Sequence, residues 1–242
     1  MQSIDGYAAH PAIAGPVAQD RANRPIVIID DHEMFSNTLT LVLRSYELDA
    51  RQLTTAGGTA TILAELVRLP AGLALLDLHL GRDHRGRYID GVDLVRPLCA
   101  RGWSVVAVSG TNDEARIAAA VAAGAVAAVS MSDTFQTLLS TVHAAAAGEQ
   151  PMTDEARLTW EQRHRDHEAQ RNRVVQRLDR LSNRERQVLD LLAQGHHASA
   201  ITTHFAVSIT TVRAQIRSAL TKLEVNSQLE AVALLSHAAA SA

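Results

Sequence analysis

Three carboxylates and a hydroxyl follow short apolar runs in the first half of the chain. Asp30 and Asp31 come directly after the run PIVII, Asp77 ends the run LALLD, and Ser109 ends the run SVVAVS. Two adjacent like charges at the end of a buried strand repel each other and resist losing water. The acidic pair therefore requires a partner nearby, which is a cation, a proton or solvent.

The elements that position these residues alternate along residues 25–148. Short apolar runs are separated by longer stretches with helical periodicity, such as FSNTLTLVLRSY and TFQTLLSTVHAAAAG. With ARQLT as a weaker strand, the pattern predicts five strands and about five helices, an α/β doubly wound five-stranded parallel sheet covered on both faces. Chemistry in such sheets gathers at the carboxyl ends of the strands, so the acids and Ser109 are expected to share one pocket.

The rest of the chain differs in composition and charge. We expect residues 1–24 to form a disordered leader, 149–180 a charged helical linker, and 181–242 an all-α four-helix domain. Residues 25–148 hold nine basic and thirteen acidic residues, whereas 181–242 hold five and four, which suggests two modules with different partners. A single cysteine, no signal peptide and no apolar run of about 20 residues predict a cytoplasmic protein that does not enter the membrane.

The segment ITTVRAQIRSALTKLEV predicts a helix capped by Ser208. One stripe of this helix is apolar and is expected to face a core, and it consists of Ile209, Val212, Ile216, Leu220 and Leu223. The opposite face carries Arg213 and Arg217 one turn apart, beside small side chains. After the short helix ASAITTHFA and a tight turn, this arrangement favours a helix-turn-helix whose second helix enters the major groove of DNA.

The segments LSNRERQVLDLLAQG and AITTHFAVSITTVRAQIRSALTKLEV resemble the LuxR-type DNA-binding domain over about residues 181–240. The resemblance implies that four residues face the groove, namely Thr211, Arg213, Ala214 and Arg217, and that Lys222 contacts the DNA backbone. Ala198, Ser199 and Ala200 depart from the family, which tends to place Asn, Lys and Glu there. We therefore expect modest DNA affinity with a shallow salt dependence unless the protein dimerises.

With this neighbour, residues 25–148 resemble a receiver domain, and the whole chain resembles a NarL/FixJ-type response regulator of two-component phosphorelay signalling. VIIDDH, LLDLHL and AVSG match the receiver motifs. The resemblance implies Mg²⁺ held by Asp30, Asp31, Asp77 and the backbone carbonyl of His79. It also implies that Asp77 accepts a phosphoryl group and that Ser109 hydrogen-bonds it, with a sensor histidine kinase as a possible donor.

Two receiver residues are missing. In the stretch AGAVAAVSMSD, Ala128 stands where the family has an aromatic residue, and Met131 stands where it has a lysine that pairs with the phosphoryl group. Lys222, in the second half, is the only lysine in the chain, so no other lysine can take the place of the missing receiver lysine. Two hypotheses remain: an arginine of the long loop GRDHRGRYID (Arg82, Arg85 or Arg87) supplies the charge, or the receiver is switched by a ligand, a partner or dimerisation alone.

The sequence as a whole predicts a transcription regulator that binds double-stranded DNA and is not an enzyme. It is expected to act as a homodimer, because one module offers few phosphate contacts. The last helix, around Leu229, Val232 and Leu235, is either a contact surface or buried in its own domain. One alternative is an interaction adaptor with a degenerate helix-turn-helix. A weaker alternative is an aspartyl-phosphate phosphatase, which the absence of a D-x-D motif at Asp77 disfavours.

Overall fold

The computed structural model describes residues 24–110 and 113–240, which divide into two compact units between His164 and Arg165. The predicted leader lies outside the described residues except for Arg24. Of the helices in the described ranges, none combines the length and the apolar character needed to span a bilayer.

The first unit is built on five parallel strands. The strands are β1 (Ile26–Ile29), β2 (Ala50–Leu53), β3 (Leu73–Asp77), β6 (Ser104–Ser109) and β7 (Ala127–Ser130). They lie side by side in the order β2-β1-β3-β6-β7, and every neighbouring pair is parallel. This is the doubly wound arrangement that the alternating pattern predicts, and that prediction is confirmed.

Five helices cover the two faces of this sheet. They are α1 (Glu33–Ser45), α2 (Gly58–Leu66), α3 (Val92–Cys99), α4 (Glu114–Ala123) and α5 (Phe135–Ala146). Alternate strand residues point to opposite faces, so Ile28 and Leu75 pack with α1 and α5, whereas Ile29 and Leu76 pack with α2, α3 and α4. Burial of both faces explains why the strands are continuous apolar runs.

The segment expected to be a long loop after Asp77 contains a β-hairpin instead. Strands β4 (His79–Arg82) and β5 (Tyr88–Asp90) pair in the antiparallel direction. Leu80 and Ile89 are buried in the core, whereas the tip between the strands is exposed except for Asp83. No strand pattern is visible in the sequence here, because each strand holds a single buried apolar residue beside polar, charged or glycine residues.

Helix α6 (Asp154–Asp179) covers most of the predicted linker, and the division between the units falls within it. In the first unit Trp160 packs against the core and Arg163 pairs with Glu114 at 3.2 Å. In the second unit Leu178 is buried in the helical core. Each part of α6 therefore packs on the unit to which it belongs.

The second unit continues with four short helices, as predicted. They are α7 (Asn183–Ala193), α8 (Ala198–Phe205), α9 (Ile209–Leu223) and α10 (Gln228–Ala240). Ser182 caps α7 in a capping box with Glu185, and Ser208 caps α9 by accepting a hydrogen bond from the Thr211 N–H. These side chains set where the helices begin and hence the turn between α8 and α9.

Candidate functional site

The carboxyl ends of β1 and β3 bring together an acidic cluster. Asp30, Asp31, His32 and Asp77 each offer a ligand atom, and these atoms lie within 4.8 Å of one another. Asp30 and Asp77 are buried, whereas Asp31 and His32 are exposed. The convergence of the three carboxylates at one sheet edge follows the sequence expectation, and a chelating set of oxygen donors is the result.

His32 lies among the three carboxylates. Its Nδ1 is 3.2 Å from an Asp30 oxygen, 3.1 Å from an Asp31 oxygen and 3.8 Å from an Asp77 oxygen. When protonated, this imidazole supplies the positive charge that the acidic pair requires. Because two-thirds of its side chain is exposed, it can leave the cluster without opening the core.

Burial dominates the electrostatics of the cluster. Burial raises the pKa of Asp77 to about 6, opposed by the N–H of His79 and reinforced by the charges of Asp30 and Asp31. Burial also raises the pKa of Asp30, although hydrogen bonds from His32 oppose it. Burial alone would lower the pKa of His32, but the Asp31 charge and the Asp30 hydrogen bond outweigh it and raise that pKa. These shifts describe carboxylates that are short of positive charge, the condition that favours a bound cation.

Ser109 and the two unusual positions lie on the neighbouring strands. Ser109 is buried at the end of β6, beside Asp77 on β3. Met131 follows β7, its N–H donates to the Ser109 carbonyl at 2.8 Å, and its sulfur faces Gly110. Ala128 packs against the core. Met131 therefore has the predicted location, but its thioether brings no charge to the site.

The β4–β5 hairpin is fastened at its tip by one buried carboxylate. Asp83 accepts hydrogen bonds from the N–H groups of Arg85 and Arg87 and pairs with the Arg87 guanidinium at 2.8 Å. Donation from the Arg87 backbone outweighs burial and lowers the pKa of Asp83. Next to it, the N–H and Nδ1 of His84 both lie within 3.0 Å of the Ala56 carbonyl oxygen. The hairpin is thus held against the loop that follows β2.

The three hairpin arginines that could supply the missing charge have different surroundings. Arg87 forms an ion pair with Asp83, and Arg85 is exposed at the tip of the hairpin. Arg82 donates to the Gly86 carbonyl and also lines a polar cleft of about 770 Å³ beside the acidic cluster. The cleft is lined by Asp30, Asp31, Glu33, Asn37, Gln52, Thr54, Thr55, Ala56, Glu65 and Arg82. Asp77 and Ser109 do not line this cleft, so the cleft places Arg82 with the acidic pair and not with Ser109.

A fourth arginine contacts the residue that directly follows Asp77. Arg116, in the first turn of α4, donates from one terminal nitrogen to the carbonyl of Leu78 and pairs with Asp90 at 2.5 Å. Its Nε is buried and has no hydrogen-bond partner among the described residues. No local pattern in the stretch EARIAAA indicates that the Arg116 guanidinium reaches the residue after Asp77.

In the second unit, α8, a tight turn and α9 form the predicted helix-turn-helix. Val212, Ile216 and Leu223 are buried, and Leu220 packs beside them. Ile209 is exposed, so its assignment to the core stripe is wrong, because it occupies the first position of the helix beyond the packed turn. The opposite face is exposed at Thr211, Arg213, Ala214 and Arg217.

Lys222 has a partner within its own domain. Its ammonium lies 2.7 Å from a carboxylate oxygen of Glu185, which is buried and also accepts from the Ser218 hydroxyl. Burial alone would raise the pKa of Glu185, but the hydrogen bonds from Lys222, Ser218 and Ser182 lower it to about 2. Lys222 thus joins α9 to α7, and its expected contact with a DNA backbone stays a prediction.

Comparisons with known proteins find a family model for part of the second unit and a similar protein that extends over most of the chain. Residues 179–235 match the family model described as bacterial regulatory proteins, luxR family. The nitrate/nitrite response regulator protein NarL of Escherichia coli (strain K12) is 27% identical over 209 residues, which cover 85% of this chain and 92% of NarL.

The predicted resemblance to NarL/FixJ-type response regulators is confirmed by the luxR-family match and by the similarity to NarL. Among solved structures, the chain is similar to the response regulator RcsB of Salmonella typhimurium, with 22% identity over 89% of this chain and 98% of that chain and a TM-score of 0.45. It is also similar to full-length FixJ from B. japonicum, with 22% identity over 90% of this chain and 98% of that chain and a TM-score of 0.43. The luxR-type match contains the α8–α9 helix-turn-helix and the exposed face of α9.

Proposed function

We propose that the protein is a transcription regulator that binds a specific double-stranded DNA sequence through α9. The observation that carries this proposal is the exposed face of Thr211, Arg213, Ala214 and Arg217 on the second helix of a helix-turn-helix. Small side chains beside two arginines let the helix approach base edges closely, and arginine can donate two hydrogen bonds to guanine. The luxR-type match supports this assignment.

Selection of bound fragments from genomic or random double-stranded DNA, with the full-length protein, tests this proposal. The expected result is enrichment of one motif, and an Arg213→Ala, Arg217→Ala double variant loses that motif. A matched control is Arg68→Ala, Arg101→Ala, which removes two exposed arginines from the first unit. An unchanged motif in the α9 variant, together with intact regulation, would favour the adaptor hypothesis instead.

We further propose that residues 25–148 act as a receiver-like domain, 149–180 as a linker and 181–242 as the DNA-binding domain. In the receiver, the residues that would hold Mg²⁺ are Asp30, Asp31, Asp77 and the carbonyl of His79. The clustered oxygen donors and the raised pKa values of the two buried acids fit a divalent cation with oxygen ligands. When bound, the cation would neutralise charge on a transferring phosphoryl group.

Asp77 is the proposed phosphoacceptor. A carboxylate oxygen of Asp77 attacks the phosphorus of the donor, the bond from phosphorus to the donor's leaving oxygen or nitrogen breaks, and an aspartyl phosphate forms. The His79 N–H already donates to Asp77 at 2.9 Å and orients it, and Ser109 on the adjacent strand supplies a hydroxyl for the new phosphate. The donor class is a sensor histidine kinase or a small acyl phosphate.

Intact mass after incubation with acetyl phosphate and Mg²⁺ tests this step, with Asp77→Asn as the control. An added phosphate that the variant does not acquire supports phosphotransfer. If no mass is added, with acetyl phosphate or with a kinase, the receiver is switched without phosphorylation, by a ligand, a partner or dimerisation. The cleft beside Asp31 and Arg82 is then the first place to look for a ligand. Sustained hydrolysis of phosphate monoesters would instead support the phosphatase alternative.

A further inference from the structure

We propose that Arg116 replaces the missing receiver lysine by binding the phosphoryl group on Asp77. Asp90 binds the Arg116 guanidinium as long as Asp77 is not phosphorylated. This inference rests on the proposed phosphorylation of Asp77. It assigns the positive charge to a helix on the β6 side of Asp77, and not to the hairpin arginines.

The location of the guanidinium is the first argument. Arg116 donates to the carbonyl of Leu78, the residue that directly follows Asp77, so its charged end already reaches the segment beside the phosphoacceptor. Arg82 lines the cleft that contains Asp30 and Asp31 but not Asp77 or Ser109. Arg87 is held by Asp83. Met131 occupies the expected lysine position and carries no charge.

The hydrogen bonding of Arg116 is the second argument. Its Nε–H is buried without an acceptor among the described residues, whereas a terminal nitrogen is shared between the Leu78 carbonyl and Asp90. A buried donor without a partner costs free energy, so a new acceptor nearby would be favourable. Phosphoryl oxygens are such acceptors, and the planar guanidinium can donate two parallel hydrogen bonds to them.

Asp90 supplies the competing charge. It ends β5 at the base of the hairpin, and its Oδ1 also accepts from the Val92 N–H that begins α3. The aspartyl phosphate adds negative charge beside Asp77, and the guanidinium moves from one anion to the other while staying protonated. Transfer of Arg116 would loosen the link between α4 and the hairpin base, so phosphorylation is communicated to α4 without the aromatic residue absent at Ala128.

Binding of beryllium trifluoride, a mimic of a phosphoryl group on aspartate, tests this inference in the full-length protein with Mg²⁺. ¹⁹F NMR gives the concentration for half-saturation, and Mg²⁺ affinity is measured separately on the same samples. Arg116→Gln is expected to weaken binding of the mimic about tenfold or more, because a charge-assisted hydrogen bond is lost. Asp90→Asn is expected to strengthen it, since Asn keeps an acceptor for the Val92 N–H but releases the arginine. Arg116→Lys is expected to fall between the wild type and Arg116→Gln.

The opposite effects of Arg116→Gln and Asp90→Asn on binding of the mimic distinguish a role in phosphoryl binding from a purely structural role. If Arg116→Gln and Asp90→Asn both weaken binding, the bridge only supports the fold and the inference is overturned. It is also overturned if Arg82→Gln weakens binding and Arg116→Gln does not. Arg101→Gln, at an exposed arginine of the same unit, controls for net charge. If Arg116→Gln loses its Mg²⁺ affinity through misfolding, Arg116→Lys and Asp90→Asn carry the test.

The proposed function can fail separately. A wild-type protein that binds no mimic at any Mg²⁺ concentration contradicts the phosphoacceptor assignment, and the role of Arg116 falls with it. A wild-type protein that binds the mimic, with an Arg116→Gln variant that binds it equally well, overturns only the role of Arg116.

Discussion

The Asp77 carboxylate is expected to destabilise the folded first unit at neutral pH when no cation is bound. Its folded pKa of about 6 lies above its usual value of 3.8, so the folded state holds the proton more tightly than the unfolded state. The stability that this proton provides is complete below about pH 4 and is lost as the pH rises through about 6. Asp77→Asn is therefore expected to raise the free energy of unfolding at pH 7.5 by on the order of 2–3 kcal/mol.

Urea unfolding in EDTA measures this difference, at pH 7.5 and again at pH 4.5. The gain from Asp77→Asn is expected to shrink at the lower pH, where the wild-type carboxyl carries its own proton. Added Mg²⁺ is expected to stabilise the wild type at pH 7.5 and to reverse the order of the two proteins. A gain that stays the same at both pH values would exclude the raised pKa as its cause.

Glu185 has the opposite behaviour in the second unit. Its pKa falls from the usual 4.5 to about 2, so the stability from its hydrogen bonds is complete above about pH 4.5 and is lost as the pH falls towards 2. Glu185→Gln leaves the Lys222 ammonium without its anion and is expected to cost about 2 kcal/mol at pH 7. Thermal unfolding followed by circular dichroism measures the loss. Glu230→Gln, at an exposed position, is the control and is expected to cost far less.

Single residues show where sequence reasoning reached its limit. The acids at the ends of β1 and β3 were predictable because parallel strands end at one edge. His32 was adjacent in sequence to the acidic pair, and that adjacency was the available signal for its place among the carboxylates. The contacts of Arg116 with Leu78 and of Lys222 with Glu185 join residues 37 or 38 positions apart, which no local pattern indicates.

At the scale of elements, periodicity predicted what is long and apolar. The five strands and their helices follow from burial of both sheet faces, and the helices of the second unit follow from capping residues and apolar stripes. The β4–β5 hairpin was not predicted by periodicity, because it is held in place by the buried Asp83 and by contact with Ala56 rather than by an apolar pattern. This element bounds the acidic cluster, so the missed element is the one that shapes the site.

Gly81 gives the hairpin its close approach to the acidic cluster. Its φ is +63°, and a Cβ there would lie 2.4 Å from an Asp31 carboxylate oxygen. Gly81→Ala must therefore displace Asp31 or the hairpin, and it is expected to weaken Mg²⁺ binding about tenfold, equivalent to about 1.4 kcal/mol. Isothermal titration with MgCl₂ measures the affinity.

Gly86 provides a matched control in the same hairpin. Its φ is +75°, but a Cβ there would meet nothing within 4 Å. Both alanine variants are expected to lose about 1 kcal/mol of stability from backbone strain, and only Gly81→Ala should lose Mg²⁺ affinity. Equal Mg²⁺ affinities in the two variants would mean that contact with Asp31 does not shape the site.

For the whole molecule, the central question is how the proposed DNA-binding domain, which is almost neutral, would achieve affinity for DNA. Residues 181–242 hold five basic and four acidic residues, and Lys222 is paired with Glu185. Few cations thus remain for phosphates, and two copies on paired half-sites would double them. Val232 and Leu235 are partly buried, and Leu235 packs against the core, whereas Leu229 is 80% exposed. Of these three apolar residues, Leu229 is the one whose side chain is available for a contact between copies.

The salt dependence of DNA binding tests both the shortage of phosphate contacts and the binding of two copies to paired half-sites. With two to four phosphate contacts per copy, the slope of log K against log salt is expected to be about −2 to −4 on a single half-site and about twice that on paired half-sites. Leu229→Asp is expected to weaken binding to paired half-sites while single-site binding stays unchanged, if α10 mediates contact between copies. Fluorescence anisotropy over a series of salt concentrations measures the binding of the wild type and of Leu229→Asp to each of the two DNAs. A single-site slope near −10 would contradict the shortage of phosphate contacts, and equal slopes on both DNAs would contradict dimeric binding.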